Sequence, residues 1–152
     1  MQEIALRVIG RVASPIAAQT DEGWGSVESR VVLEPELADG LRGLEQFSHV
    51  LVVTWLHEAR FDPARHLVRR PRGLATMPEV GIFAQRAKDR PNPIGVTAVP
   101  LVRVEPGAAV VRGLDAIDGT PVLDLKPYYP AYDRVADAVV PEWVGRLLAG
   151  YF

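Results

Sequence analysis

The sequence contains no cysteine, which excludes disulfides, thiolate metal sites and cysteine nucleophiles. Long apolar runs are missing as well. The stretch Val50–Val53 is as long as any purely apolar run becomes, far short of a membrane span. The opening MQEIALRVIG lacks a basic region followed by an apolar core and a cleavage site, so a soluble cytoplasmic protein is expected. There is no Gly-rich phosphate loop ending in Lys-Ser or Lys-Thr, no GxGxxG, no GxSxG and no HExxH, and the reactions those strings support drop out. His49, His57 and His66 have no carboxylate partner at a metal-ligand spacing, so no metal is expected. Aromatic residues are few, at 7%, and net charge is only −2. That charge is unevenly spread: Arg60 to Arg90 carries +5, leaving −7 for the remainder, and a basic stretch of this kind suits a polyanion.

What is present describes one globular unit. With 152 residues, 48% hydrophobic and 24% charged, the chain suits a single domain, residues 1–152, with a real core. Thirteen glycines and thirteen prolines exceed what helix interiors tolerate and favour short strands joined by turns. Loose alternation over Ala5–Ser14 predicts a first strand, and cleaner alternation from Val27 to Glu34 a half-buried second one. After Pro35, Leu37, Leu41 and Leu44 repeat at helical spacing. Val50–Leu56 reads as a central strand covered on both faces, and Val80–Ala84 as a short one. The basic stretch Arg60–Pro78 has no sustained period and reads as a long or locally disordered loop. Val96–Glu105, Ala108–Leu114 and Pro121–Tyr128 predict a meander with turns at Pro106-Gly107 and Asp118-Gly119. Pro141–Ala149 predicts a closing helix stopped by Gly150. The expected fold is all-β dominated: a small antiparallel β-barrel with one or two short helices.

Three segments exceed what a scaffold needs. In FSHVLVVTWLHEAR (residues 47–60), Ser48-His49 and His57-Glu58 bracket the apolar strand. In GIFAQRAKDRPNPIGVT (81–97), Arg86, Lys88 and Arg90 precede Asn92, held between prolines, and Gly95. Such a loop is stiff and donor-rich, and its arginines suit a carboxylate or phosphate. In GLDAIDGTPVLDLKPYYPAYD (113–133), Asp115, Asp118 and Asp124 surround an expected hairpin. Asp124 and Lys126 alternate onto one face, where they either pair with each other or point at a site.

Together the three segments resemble the TrmO/TsaA-like (VirR-like) family, whose diagnostic strings are of the FSH…FH, RPNPIG and DGTPVLDIKPY type. The resemblance runs from about Val8 to Asp133 and matches the N-terminal barrel domain of longer members. The early loop AAQTDEGWGSV departs from it, lacking the family's Pro-Arg-Gln signature. The resemblance implies a homodimeric β-barrel that binds S-adenosylmethionine and methylates N6 of threonylcarbamoyl-adenosine in the tRNA anticodon loop. By motif it implies cofactor contacts from His57, Glu58, Arg86, Val96 and the run Asp115, Ala116, Ile117 and Asp118, to which Phe83, Asn92 and Gly95 are added on chemical grounds. His57 and Asp124 are the candidate proton acceptors; Arg69, Arg70 and Arg72 are candidate RNA contacts, with Trp24 or Tyr128 for base stacking. Two alternatives stand beside this reading: a methyltransferase of the same fold with a small-molecule substrate, and a cofactor-binding module without turnover.

Overall fold

Six segments whose inward positions carry small branched side chains close into an antiparallel barrel. The computed structural model describes all 152 residues. In chain order the strands are β1 (Gly10–Ala13), β2 (Glu28–Leu33), β3 (His49–Trp55), β4 (Val68–Arg69), β5 (Val80–Gly81), β6 (Ile94–Glu105), β7 (Ala108–Arg112) and β8 (Pro121–Pro127). Around the barrel they run β1-β2-β7-β6-β3-β8, while β4 and β5 pair only with each other. The interior is dense in valine: Val12, Val31, Val50, Val52, Val99, Val111 and Val122 are all buried in one cluster. These side chains favour strands and are small enough to fill a narrow barrel. Leu41, from the β2–β3 connection, and Leu114 and Ala116, from the β7–β8 connection, join the same cluster and plug its two ends.

The strand order places the β1–β2 connection (residues 14–27), the β3–β6 connection (56–93) and the β7–β8 connection (113–120) at one end of the barrel. We call this end the mouth. The β2–β3 connection and the tight Pro106-Gly107 turn lie at the other end.

Several sequence expectations need correction. The first strand covers only Gly10–Ala13; before it, Ile4, Leu6 and Val8 are exposed and join no ladder. The helix expected after Pro35 is two 3₁₀ segments, Pro35–Leu41 and Leu44–Gln46, divided at Gly43, whose φ of 89° lies in the left-handed region. β3 buries only its alternate residues Val50, Val52 and Thr54; Leu51 and Val53 on the outer face are half-covered. The three C-terminal strands are not a meander: β7 pairs with β6 and β2, and β8 crosses the barrel to lie between β3 and β1. Asp118-Gly119 therefore belongs to a crossing, not a hairpin. The segment after Val80 leaves the strand at once for a 3₁₀ turn, Ile82–Ala84.

The basic stretch is ordered. It contains α1 (Pro63–His66), whose first turn is capped by Asp62 accepting from the Ala64 amide at 3.0 Å, and the β4–β5 pair. Gln85 Nε2 donates to the carbonyls of Arg69 (3.1 Å) and Val80 (2.9 Å), and Arg70 donates to the Met77 carbonyl. After β8 the chain forms α2 (Pro130–Asp133) and α3 (Glu142–Leu147), then turns at Gly150 and runs back to the mouth.

Candidate functional site

The β7–β8 crossing is the centre of the mouth. It starts at Gly113, whose left-handed φ of 82° favours glycine and whose amide donates to the Val27 carbonyl at 2.8 Å. Leu114, Ala116 and Ile117 are buried. Asp115, between them, receives the Thr97 hydroxyl on Oδ1 at 2.6 Å and the Tyr151 hydroxyl on Oδ2 at 2.7 Å. The amides of Leu114, Asp115, Ala116 and Ile117, four in succession, have no acceptor within the chain. Asp118 ties the early loop down, with Oδ1 accepting from the Ser14 amide at 3.0 Å and its own amide donating to the Ile16 carbonyl at 2.7 Å.

Tyr151 reaches Asp115 because the C-terminal tail is stitched to the early loop. The Gly23 amide donates to the Gly150 carbonyl and the Trp24 amide to the Tyr151 carbonyl, both at 2.9 Å. Gly25 packs so tightly on Phe152 that a Cβ there would lie 2.5 Å from backbone carbon. Burial, followed by the charge of Asp115, pushes the Tyr151 hydroxyl well above the ordinary phenol range, so it stays a neutral donor. Arg72 lies 5.6 Å from the centroid of the Tyr151 ring, and its Nε is 3.5 Å from Asp21 Oδ1.

The β3–β6 connection supplies the other wall. The Leu56 amide donates to the Pro93 carbonyl at 2.7 Å, setting His57 and Glu58 beside the RPNP turn. The Arg60 amide donates to Asp89 Oδ1 at 2.8 Å. Burial opposes ionisation of Asp89, yet this bond and the Lys88 ammonium hold its carboxyl below the usual range. Arg86 is exposed and donates to the Val96 carbonyl; Arg90 Nη1 is committed to the Gln85 carbonyl at 3.0 Å. Asn92 is exposed with a side chain free of intrachain bonds, and Phe83 projects outward, 79% exposed. Gly95 has a packing reason instead: a Cβ there would sit 2.6 Å from Thr54 Oγ1 and 3.2 Å from Leu56 Cδ2.

The two connections at the mouth carry His57, Glu58, Phe83, Arg86, Asn92 and Asp115–Asp118, with Gly95 at the start of β6; Val96 beside it is exposed on the outer face opposite Val53, its carbonyl taken by Arg86. Ala116 and Ile117 are buried side chains, so a ligand would meet them through backbone atoms. Asp124 falls outside. It sits on the outer barrel wall opposite Val53, bonded to Lys126 at 2.8 Å, so the open choice between pairing and pointing resolves to pairing. Trp24 is 3% exposed, with its indole N–H on the Thr20 carbonyl, so it offers no face for stacking. Tyr128 lies at the opposite end, against His49. Of the three candidate RNA arginines, Arg70 and Arg72 have internal partners and Arg69 buries its Nε. Sequence reasoning missed Thr97, Asp21 and Tyr151. Thr97 closes a string already singled out, but nothing in the sequence points to Tyr151 except an aromatic after a helix-stopping glycine.

Residues 13–134 match the model of the tRNA-methyltransferase O N-terminal domain. The chain belongs to this family. A probable S-adenosyl-L-methionine-binding protein of Methanothermobacter thermautotrophicus is 43% identical over 138 residues, 88% of this chain and 96% of that one. The human tRNA (adenine(37)-N6)-methyltransferase is 39% identical over 115 residues, 76% of this chain but 25% of the human protein. A crystal structure of TrmO from Pseudomonas aeruginosa superposes with a TM-score of 0.75 at 33% identity, covering 94% of this chain and 62% of that one. The closed barrel expected from the sequence is therefore the TrmO barrel. No group of three or more His, Asp or Glu side chains is placed to hold a metal, and no helix is long and apolar enough to cross a membrane.

Proposed function

We propose that this TrmO-family barrel binds S-adenosylmethionine at its mouth and transfers the methyl group to N6 of adenosine, carrying a threonylcarbamoyl group, in the anticodon loop of tRNA. The observation that carries the reading is the meeting, at one end of the barrel, of an oriented carboxylate (Asp115), four unpartnered amides on the same crossing and an exposed arginine (Arg86). These match the parts of the cofactor: a carboxylate for its cationic end, an arginine for its carboxylate, and amide donors for its adenine ring. When bound, the cofactor supplies an electrophilic methyl group on sulfur. The chain's task is then to orient that group and accept the proton that N6 loses, since an acylated nitrogen is a poor nucleophile while protonated. With Asp124 paired on the outer wall, His57 is the acceptor we propose. Arg65, exposed on α1, would be one contact for tRNA phosphates; a tRNA substrate also makes the cytoplasm its place of work. A second copy of the chain would supply a further wall, as a homodimer.

Calorimetry should show S-adenosylmethionine binding, and labelled-methyl transfer to tRNA should follow, with an apparent affinity that falls steeply as salt rises. Arg86→Ala should weaken cofactor binding roughly ten- to a hundredfold, the value of a lost charge-assisted contact of about 1.5 to 3 kcal/mol, with the fold intact. Light scattering on the same sample should give twice the 16.6 kDa of one chain. Cofactor binding without transfer to any RNA would favour the second reading, a binding module or a small-molecule methyltransferase. That reading draws on the nearly full-length archaeal relative, whose name claims binding alone.

A further inference from the structure

We propose that Tyr151, in the C-terminal tail, is a positioning residue for the cofactor site: with Thr97 it holds the Asp115 carboxylate so that its remaining lone pairs meet the cation of the bound ligand. The inference rests on the mouth being the S-adenosylmethionine site. It goes further by assigning a role to a residue that lies beyond the family match, which ends at residue 134.

Two hydroxyls, one from β6 and one from the tail, fix Asp115, one on each oxygen, at 2.6 and 2.7 Å. Each carboxylate oxygen accepts more than one bond, so a second acceptor direction on each stays open. Neither hydroxyl carries charge, so the carboxylate keeps its full attraction for a cation. A salt bridge there would have neutralised it. The tail itself is built in: two backbone bonds join it to Gly23 and Trp24, and Gly25 admits Phe152 at a distance that no side chain allows. Arg72 lies over the Tyr151 ring, and does so with a φ of 53°, a backbone conformation that L residues rarely adopt. The early loop that departs from the family signature is also the loop to which the tail is stitched, through Gly23 and Trp24, and its Asp21 pairs with Arg72. The tail and Arg72 thus rebuild a wall of the mouth from parts that are distant in sequence.

Tyr151→Phe tests this in the full chain, since it keeps the ring under Arg72 and removes the hydroxyl alone. Calorimetry would compare three ligands: S-adenosylmethionine, S-adenosylhomocysteine, which lacks the sulfonium but keeps the ammonium, and methylthioadenosine, which lacks both. The expected result is about tenfold weaker binding of S-adenosylmethionine, with methylthioadenosine unchanged. A parallel loss for S-adenosylhomocysteine assigns Asp115 to the ammonium; its retention assigns Asp115 to the sulfonium. Equal losses for all three ligands, no loss, or tighter binding would overturn the proposal, because a merely structural tail or an inhibitory plug predicts those patterns. Thr97→Val removes the other hydroxyl and should reproduce the same ligand selectivity, which covers the case in which Tyr151→Phe does not fold. If the unaltered protein binds none of the ligands, the reading of the mouth itself fails; if it binds them and both variants match it, only the role of Tyr151 does.

Discussion

Asp115→Ala should weaken S-adenosylmethionine binding by about a hundredfold or more and lower the melting temperature by several degrees at once. The two losses have one cause. Asp115 accepts hydroxyls from Thr97 on β6 and Tyr151 in the tail, so it joins the barrel wall, the β7–β8 crossing and the C-terminus at a single carboxylate. Hydrogen bonds to a charged group contribute about 1.5 to 3 kcal/mol each, and removing the acceptor leaves two part-buried hydroxyls without partners. In a domain of this size a kilocalorie corresponds to roughly 2 to 4 °C, so a drop of about 6 °C or more is expected by circular dichroism. The cofactor loses its anionic partner in the same step, hence the larger effect on binding. Asp115→Asn separates the two, because the amide oxygen still accepts a hydroxyl while the charge is gone: stability should largely return and affinity should not. An Asp115→Ala protein that binds the cofactor as the unaltered chain does would remove Asp115 from the site.

The second large effect is purely structural. Gly10→Ala should destabilise the barrel by about 3 kcal/mol or more, because the new methyl would lie 2.2 Å from the Val32 carbonyl oxygen and 2.9 Å from the Leu33 Cα. Those are backbone atoms of the paired strand and have no rotamer to change. β1 is short and closes the barrel between β2 and β8, with Gly10 paired to Leu33 on one side and Val122 on the other. Pushing it off β2 opens the seam over Val12 and Val31, both fully buried. Differential scanning calorimetry should register a fall of about 6 to 12 °C; a change within 2 °C would show that the seam bears no such constraint. Gly119→Ala is the control, since nothing lies within 4 Å of its Cβ position; its φ of 78° should cost only the smaller penalty of a strained turn.

How the fold and the site were legible follows from the range of the forces involved. β2 was readable because alternation is a local property: Val31 and Leu33 face one way and Glu28 and Arg30 the other wherever the strand lies, whereas the apolar run of β3 hid that only Val50, Val52 and Thr54 point inward. The FSH, RPNPIG and DGTP strings were readable for a similar reason, since each is a short, stiff or turn-forming run whose shape its own residues set. That sufficed to name the family and the barrel, and it singled out Arg86 and Asp115, which lie on connections at the mouth. Partner choice is not local. Whether β8 follows β7 as a hairpin or crosses to β3 and β1 depends on which pairing buries the valines of all six strands, and only the closed barrel decides it. The same closure sends Asp124 to the outer wall beside Lys126, folds Trp24 into the interior, and turns Arg72 from an exposed RNA contact into a cation over the Tyr151 ring. From sequence alone, Thr97, Asp115 and Tyr151 are unrelated residues far apart along the chain. Two short hydrogen bonds to one carboxylate make them a unit, and such bonds exist only once strand β6, the crossing and the tail have been brought to the same end of the barrel.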